Sequence, residues 1–313
     1  MPYDDSPPPT RRARPLAVAA ALAAVSLTAA GCGGQQSDRP DAAPPRPGAD
    51  GASPSVSPSA SASASASGKP LPKGPLTGRT VVIDPGHNPG NRDHTREINE
   101  QVDMGTGRKE CDTTGTSTND GYAEARFTLD VSHRLRALLE AEGARVRLTH
   151  DADRPFGPCV DERARIGNKA KADAVVSVHA DGSAVGNRGF HVILPARVKG
   201  GGADTTPIVK SSADLGARIA GHFARTTGSP PSNYVGGKTG LDTRDDLGGL
   251  NLSTVPKVFV ECGNMRDPED AALLTSESWR QKAAQGMADG VSSYLKGWGT
   301  ARGLPHLSAR DYG

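Results

Sequence analysis

Apolar residues are distributed along this chain in short blocks, and three of the blocks end in polar chemistry. The runs are Val81-Val82-Ile83, Ala174-Val175-Val176 continuing to Val178, and Val258-Phe259-Val260. Each is rich in β-branched residues and too short for a helix of its own, as in strands buried on both faces. The first passes through Asp84 to Pro85-Gly86-His87, the second ends at His179 and the third at Glu261. Proline and glycine stop the first run in a sharp turn. Open α/β sheets place their ligands at the C-terminal ends of strands. Three runs delivering His, His and Glu at those ends nominate a site.

Between the runs the period becomes helical. Phe127, Val131, Leu135 and Leu138 form an apolar stripe within 121–142. The whole pattern reads as strand 79–84, helix 121–142, strand 144–149, helix 160–170, strand 174–179, strand 188–194, helix 208–226, strand 257–261, helix 267–274 and helix 276–297. Such alternation predicts an α/β domain of three layers. Two polar, glycine-rich stretches, 88–120 and 228–256, read as long irregular loops, which usually carry function or are disordered.

Counting back three positions from Phe127 reaches Glu124, on the inward face of the first helical turn. A carboxylate there can serve the helix dipole, but one aimed at a sheet needs a partner. A metal would supply it. His87, Glu124 and His179 would offer zinc three protein ligands and leave a position for water, the pattern of a catalytic zinc site. Arg163 precedes the His179 strand and Arg244 precedes Glu261; each is a candidate to bind a substrate carboxylate or steady an oxyanion, against the alternative of a solvated arginine. His94, His133, His150, His191, His222 and His306 have no comparable setting and read as surface or structural.

Composition divides the 313 residues further. Residues 1–32 read as an export signal: Arg11, Arg12 and Arg14, then an apolar run from Leu16 to Ala30, then Ala29-Ala30-Gly31-Cys32. The small residues before Cys32 resemble a bacterial lipobox, although Ala29 stands where leucine is usual. Lipidation of Cys32 and plain cleavage to a free secreted protein both remain open, and Arg11-Arg12 gives a weaker hint of a twin-arginine signal. Residues 33–75 collapse to Ala, Ser, Pro and Gly, a disordered linker. As a flexible coil it would reach roughly 35–40 Å. Residues 76–300 make one domain large enough for its own core, and 301–313 a short tail. A net charge of +2 points to no nucleic-acid partner.

The blocks Val82-Ile83-Asp84-Pro85-Gly86-His87, Glu124 at a helix start, Ser177-Val178-His179-Ala180-Asp181 and Val255 to Asn264 resemble, in this order, the zinc-dependent N-acetylmuramoyl-L-alanine amidases of the amidase-3 type. The resemblance covers about residues 79–297, and its cysteine-containing loop is similar to that of actinobacterial members. It implies a mixed, mostly parallel sheet of about six strands flanked by helices on both faces. It implies zinc on His87, Glu124 and His179, Glu261 as catalytic acid/base, and peptidoglycan as substrate, cut between N-acetylmuramic acid and L-alanine. Asp181 and Cys262 depart from the family's usual residues. A monomer is expected, touching the membrane through a lipid anchor only, on the outer face of the membrane or in the wall. A peptidase or deacetylase using the same zinc chemistry, and an inactive wall-binding lipoprotein, are the alternatives.

With Cys32 set aside, Cys111 and Cys159 sit in polar loops flanking the Glu124 helix and the strand after it, and are expected to pair. Cys262 follows a buried strand and reads as a free core residue.

Overall fold

A computed structural model of the protein describes residues 72–301. The expected export signal, Cys32, the linker through residue 71, His306 and the tail after 301 lie outside the described residues.

In chain order the elements are β1 (Thr80–Pro85), a 3-10 turn (Pro89–Asp93), α1 (Thr95–Ile98), a hairpin of β2 (Gln101–Asp103) and β3 (Arg108–Glu110), and α2 (Glu124–Ala141). Then come β4 (Arg145–Leu148), α3 (Val160–Lys169), β5 (Ala174–Asp181), β6 (His191–Pro195), and a second hairpin of β7 (Lys199–Gly200) and β8 (Ala203–Asp204). The chain continues through α4 (Val209–Thr227), a 3-10 turn (Gly236–Lys238), β9 (Leu241–Arg244), α5 (Gly248–Asn251), β10 (Lys257–Asn264), α6 (Pro268–Thr275) and α7 (Glu277–Ala301). None of the described helices is long and apolar enough to cross a membrane.

Six strands form the central sheet in the order β4-β1-β5-β10-β6-β9. Neighbours run parallel except β10 and β6. Because β1, β5 and β10 are adjacent and parallel, their C-terminal ends share one edge. The register places Pro85 beside Val178 and Glu261 beside His179. The three strand ends singled out in the sequence therefore meet.

The two faces of the sheet differ. Val81, Ile83, Val176, Val178, Val258 and Val260 point to one side, into a core completed by Phe127, Val131, Leu135 and Leu139 of α2 and by α4 and α7. Full burial of each such side chain contributes about 1.5–3 kcal/mol. Leu139, not Leu138, ends the fully buried stripe of α2; Leu138 packs beside it partly exposed. The opposite face has only a small apolar cluster, Val82, Ala172 and Val175, with Ile166 of α3 packed against it. Its remaining positions include buried charges, Asp84 and Lys257.

Four sequence expectations shift. α2 begins at Glu124 because Gly121, at φ 85°, turns the chain before it. β6 begins at His191, since Gly189 at φ 94° precedes it. The stretch 88–120 is ordered by α1 and the β2–β3 hairpin, whose short, largely exposed, charged strands carry no apolar run. The stretch 228–256 holds β9, an edge strand whose residues after Leu241 are all polar, so it shows no apolar run.

Candidate metal centre

β1 ends where Gly86 donates to the Val178 carbonyl at 2.9 Å, locking the turn onto β5. A Cβ on Gly86 would lie 2.4 Å from the His179 ring, so only glycine lets that ring approach. His87 follows at φ 60°, a conformation that costs a non-glycine residue on the order of 1–3 kcal/mol and clusters at functional sites. Thr128 Oγ1, in the second turn of α2, donates to the Gly86 carbonyl at 2.7 Å, tying the N-terminal part of that helix to the same corner.

That tie brings Glu124 between the two histidines. Its Oε2 is 3.2 Å from His87 Nε2 and its Oε1 is 3.0 Å from His179 Nδ1. Each oxygen also accepts one backbone N–H, from Thr116 to Oε2 at 2.9 Å and from Ala180 to Oε1 at 3.1 Å. The carboxylate is thus fixed in orientation as well as place. The His179 ring stacks on Phe259, with centroids 5.1 Å apart. One ligand atom from each of His87, Glu124 and His179 lies within 4.8 Å of the others, and among the described residues this is the cluster suited to a metal ion. Burial opposes ionisation of Glu124, but the facing histidines outweigh it and hold its carboxyl far below the usual range. Burial likewise opposes protonation of His87, yet Glu124 and Asp112 raise its pKa well above that of an ordinary histidine.

The centre opens into a cleft of about 410 Å³ walled by Asp181, Ile193, Arg244, Leu247, Phe259 and Glu261. Glu261 stands at the cluster's side without belonging to it. Its Oε2 is shielded from solvent and has no hydrogen-bond partner among the described residues. Burial first, then the charges of Glu124 and Asp181, raise its carboxyl well above the usual value. Asp181 accepts from the Tyr234 hydroxyl at 2.7 Å.

Residues 81–293 match the family profile described as N-acetylmuramoyl-L-alanine amidase. The chain belongs to the N-acetylmuramoyl-L-alanine amidase family. An N-acetylmuramoyl-L-alanine amidase of Mycobacterium tuberculosis is 42% identical over 228 residues, 72% of this chain and 90% of that protein. The crystal structure of the amidase Ami1 of Mycobacterium smegmatis superposes with a TM-score of 0.64 at 40% identity, covering 71% of this chain and 99% of that one. The amidase AmiA of Escherichia coli is 27% identical over 270 residues, 73% of this chain and 81% of that protein. The present protein is an enzyme of the same kind, an amidase acting on peptidoglycan.

The amidase uses Arg163 differently from the sequence expectation. Arg163 is 5% exposed. Its five N–H donors go to the Pro158, Pro85 and His87 carbonyls and to the Asp84 and Asp112 carboxylates. None is left for a substrate, so the substrate-binding role read for Arg163 is corrected to an internal one. Arg244 does line the cleft, its Nε and Nη2 held by Asp246 at 2.7 and 2.6 Å. Cys111 and Cys159 form a disulfide, and Cys262 is free and buried. Among the histidines set aside, His150 and His191 are buried, and His150 Nε2 faces the Pro85 carbonyl at 3.0 Å.

Sequence reasoning passed over Asp84, Asp112 and Lys257 of the amidase. Lys257 Nζ is 3.0 Å from Asp84 Oδ2, whose other oxygen meets Arg163 at 2.8 Å. Asp84 and Lys257 carried a signal: each is a charge embedded in an apolar run, and buried charges must be paired. Asp112 lies in a polar loop where nothing marks it.

Proposed function

We propose that the amidase is zinc-dependent, with His87, Glu124 and His179 as the protein ligands and Glu261 as the catalytic acid/base. The convergence of His87, Glu124 and His179 carries the reading. Ligands about 2.0–2.1 Å from a tetrahedral zinc lie roughly 3.3 Å apart; His87 Nε2 stands 3.2 Å from Glu124 Oε2, His179 Nδ1 stands 3.0 Å from Glu124 Oε1, and one donor from each of the three residues lies within 4.8 Å of the others. One nitrogen of each ring and one fixed carboxylate make the mixed N/O set that zinc accepts. Three protein ligands also leave an open position, as catalysis requires.

Zinc held there would bring the pKa of a water toward neutrality and polarise the scissile carbonyl. Glu261 then takes a proton from the attacking water and hands it to the leaving L-alanine nitrogen. Its shielded, unpartnered Oε2 suits it to accept and return a proton. Arg244 lines the cleft wall, and in this reading it would meet an acidic group of the stem peptide. The bond cut is the amide between the lactyl group of N-acetylmuramic acid and L-alanine. We place the protein outside the cytoplasmic membrane, released from its export signal and either anchored through lipid on Cys32 or secreted freely into the wall.

Mass spectrometry of muropeptides after digestion, with and without chelator, tests this reading. The expected products are free stem peptides beginning with L-alanine and intact glycan strands, lost on chelation and restored by zinc. Cleavage within the stem peptide or loss of acetyl groups would assign a different bond. Undiminished cleavage in chelator would remove the metal.

A further inference from the structure

We propose that Asp112 is a positioning residue of the metal centre, holding His87 in the tautomer and orientation that present Nε2 to the cation. The inference rests on the reading of His87, Glu124 and His179 as metal ligands. An imidazole ligand offers one unprotonated nitrogen, and the hydrogen bond made by the other nitrogen decides which one that is. Nε2 of His87 faces Glu124, so Nδ1 is turned away from the centre. It meets the Thr113 carbonyl at 3.1 Å, the Thr113 hydroxyl at 3.2 Å and Asp112 Oδ1 at 3.4 Å. A carbonyl and a carboxylate only accept, so the proton belongs on Nδ1 and the lone pair on Nε2.

Asp112 acts on that arrangement twice. It faces Nδ1 directly, and its Oδ1 also accepts the Thr113 backbone N–H at 2.8 Å, fixing the residue that supplies the other two contacts. The aspartate is in turn immobilised. It is 6% exposed, and its Oδ2 takes Arg163 Nη2 at 2.8 Å. Arg163 Nη2 further donates to the His87 carbonyl at 3.1 Å, so the same guanidinium grips both the histidine's backbone and its side-chain partner. The Cys111–Cys159 bond closes the frame, joining the residue before Asp112 to the N-cap of α3, the helix that carries Arg163. The competing role for Asp112 is neutralisation of Arg163 alone, which would leave the metal indifferent to it.

Zinc affinity by chelator competition, and the visible spectrum of the cobalt-loaded protein, separate the two on wild type, Asp112→Asn and Asp112→Glu. Melting of the metal-free proteins serves as the control for folding. Asp112→Asn is expected to bind zinc about 10–100-fold more weakly and to shift the cobalt bands. Asp112→Glu keeps the charge beside Arg163 but stands one methylene out of place at Nδ1, and is expected to fall between. Wild-type affinity and an unchanged cobalt spectrum in folded Asp112→Asn would overturn the proposal. If Asp112→Asn does not fold, Asp112→Glu decides by the same criterion. Wild-type protein that binds no zinc, or whose zinc survives His87→Ala, would overturn the metal reading and this proposal with it. That outcome shows in the wild-type and His87→Ala arms, before the Asp112 variants are compared.

Discussion

Asp84 has four side-chain partners on one fully buried carboxylate. Arg163 and Thr149 bind Oδ1 at 2.8 and 2.7 Å, and Lys257 and Ser177 bind Oδ2 at 3.0 and 2.8 Å. Taking one member from such a set leaves uncompensated charge behind, which costs more than the net worth of the pairs. Asp84→Ala is expected to lower stability by about 3–5 kcal/mol, read as a shift in the urea midpoint. Burial opposes ionisation of Asp84, but Lys257 and Arg163 outweigh it and hold its pKa well below the ordinary 3.8. The native pKa is depressed, so the stability linked to it is present above the unfolded value. It is lost as pH falls below 3.8 toward the native value. Urea titrations taken down through that range are expected to show a steeper loss for wild type than for Asp84→Ala. At this scale the sequence was legible wherever a reactive residue ended an apolar run or lay on an apolar stripe, as His87, His179, Glu261 and Glu124 do. Asp112 and Thr113 were not legible, because a loop residue shows its partner only after the chain has folded.

Strands and helices followed the apolar period wherever burial was deep. β1, β5 and β10 have nearly continuous burial and matched their runs closely. β9 and the β2–β3 hairpin did not, because their backbone pairing is not accompanied by buried apolar side chains. The long loop after His87 needs another source of order, and the disulfide provides one. It joins residues 48 apart in sequence and holds the Asp112 segment beside the start of α3. Loop-closure entropy for that span puts the stabilisation on the order of 4 kcal/mol. Replacing both Cys111 and Cys159 by serine is expected to lower the urea midpoint accordingly and to weaken zinc retention against a chelator. Cys262→Ser is expected to leave zinc retention unchanged.

Across the molecule the sheet separates support from chemistry. One face, under α2, α4 and α7, buries the main apolar core. The other face and the strand edge collect the buried charges, the metal candidates and the cleft. Four elements meet at that edge: the turn after β1, α2 and β5 bring the candidate ligands His87, Glu124 and His179 together, and β10 presents Glu261 beside them. Zinc content together with amide cleavage in Glu261→Gln measures this division. Glutamine keeps the size and polarity of the side chain but cannot take up the proton. The expected protein holds as much zinc per chain as wild type and loses at least roughly a hundredfold in cleavage. A variant that released its zinc would make Glu261 a ligand, and one that kept near-full activity would put the acid/base elsewhere; either result would break this division between ligands and proton carrier.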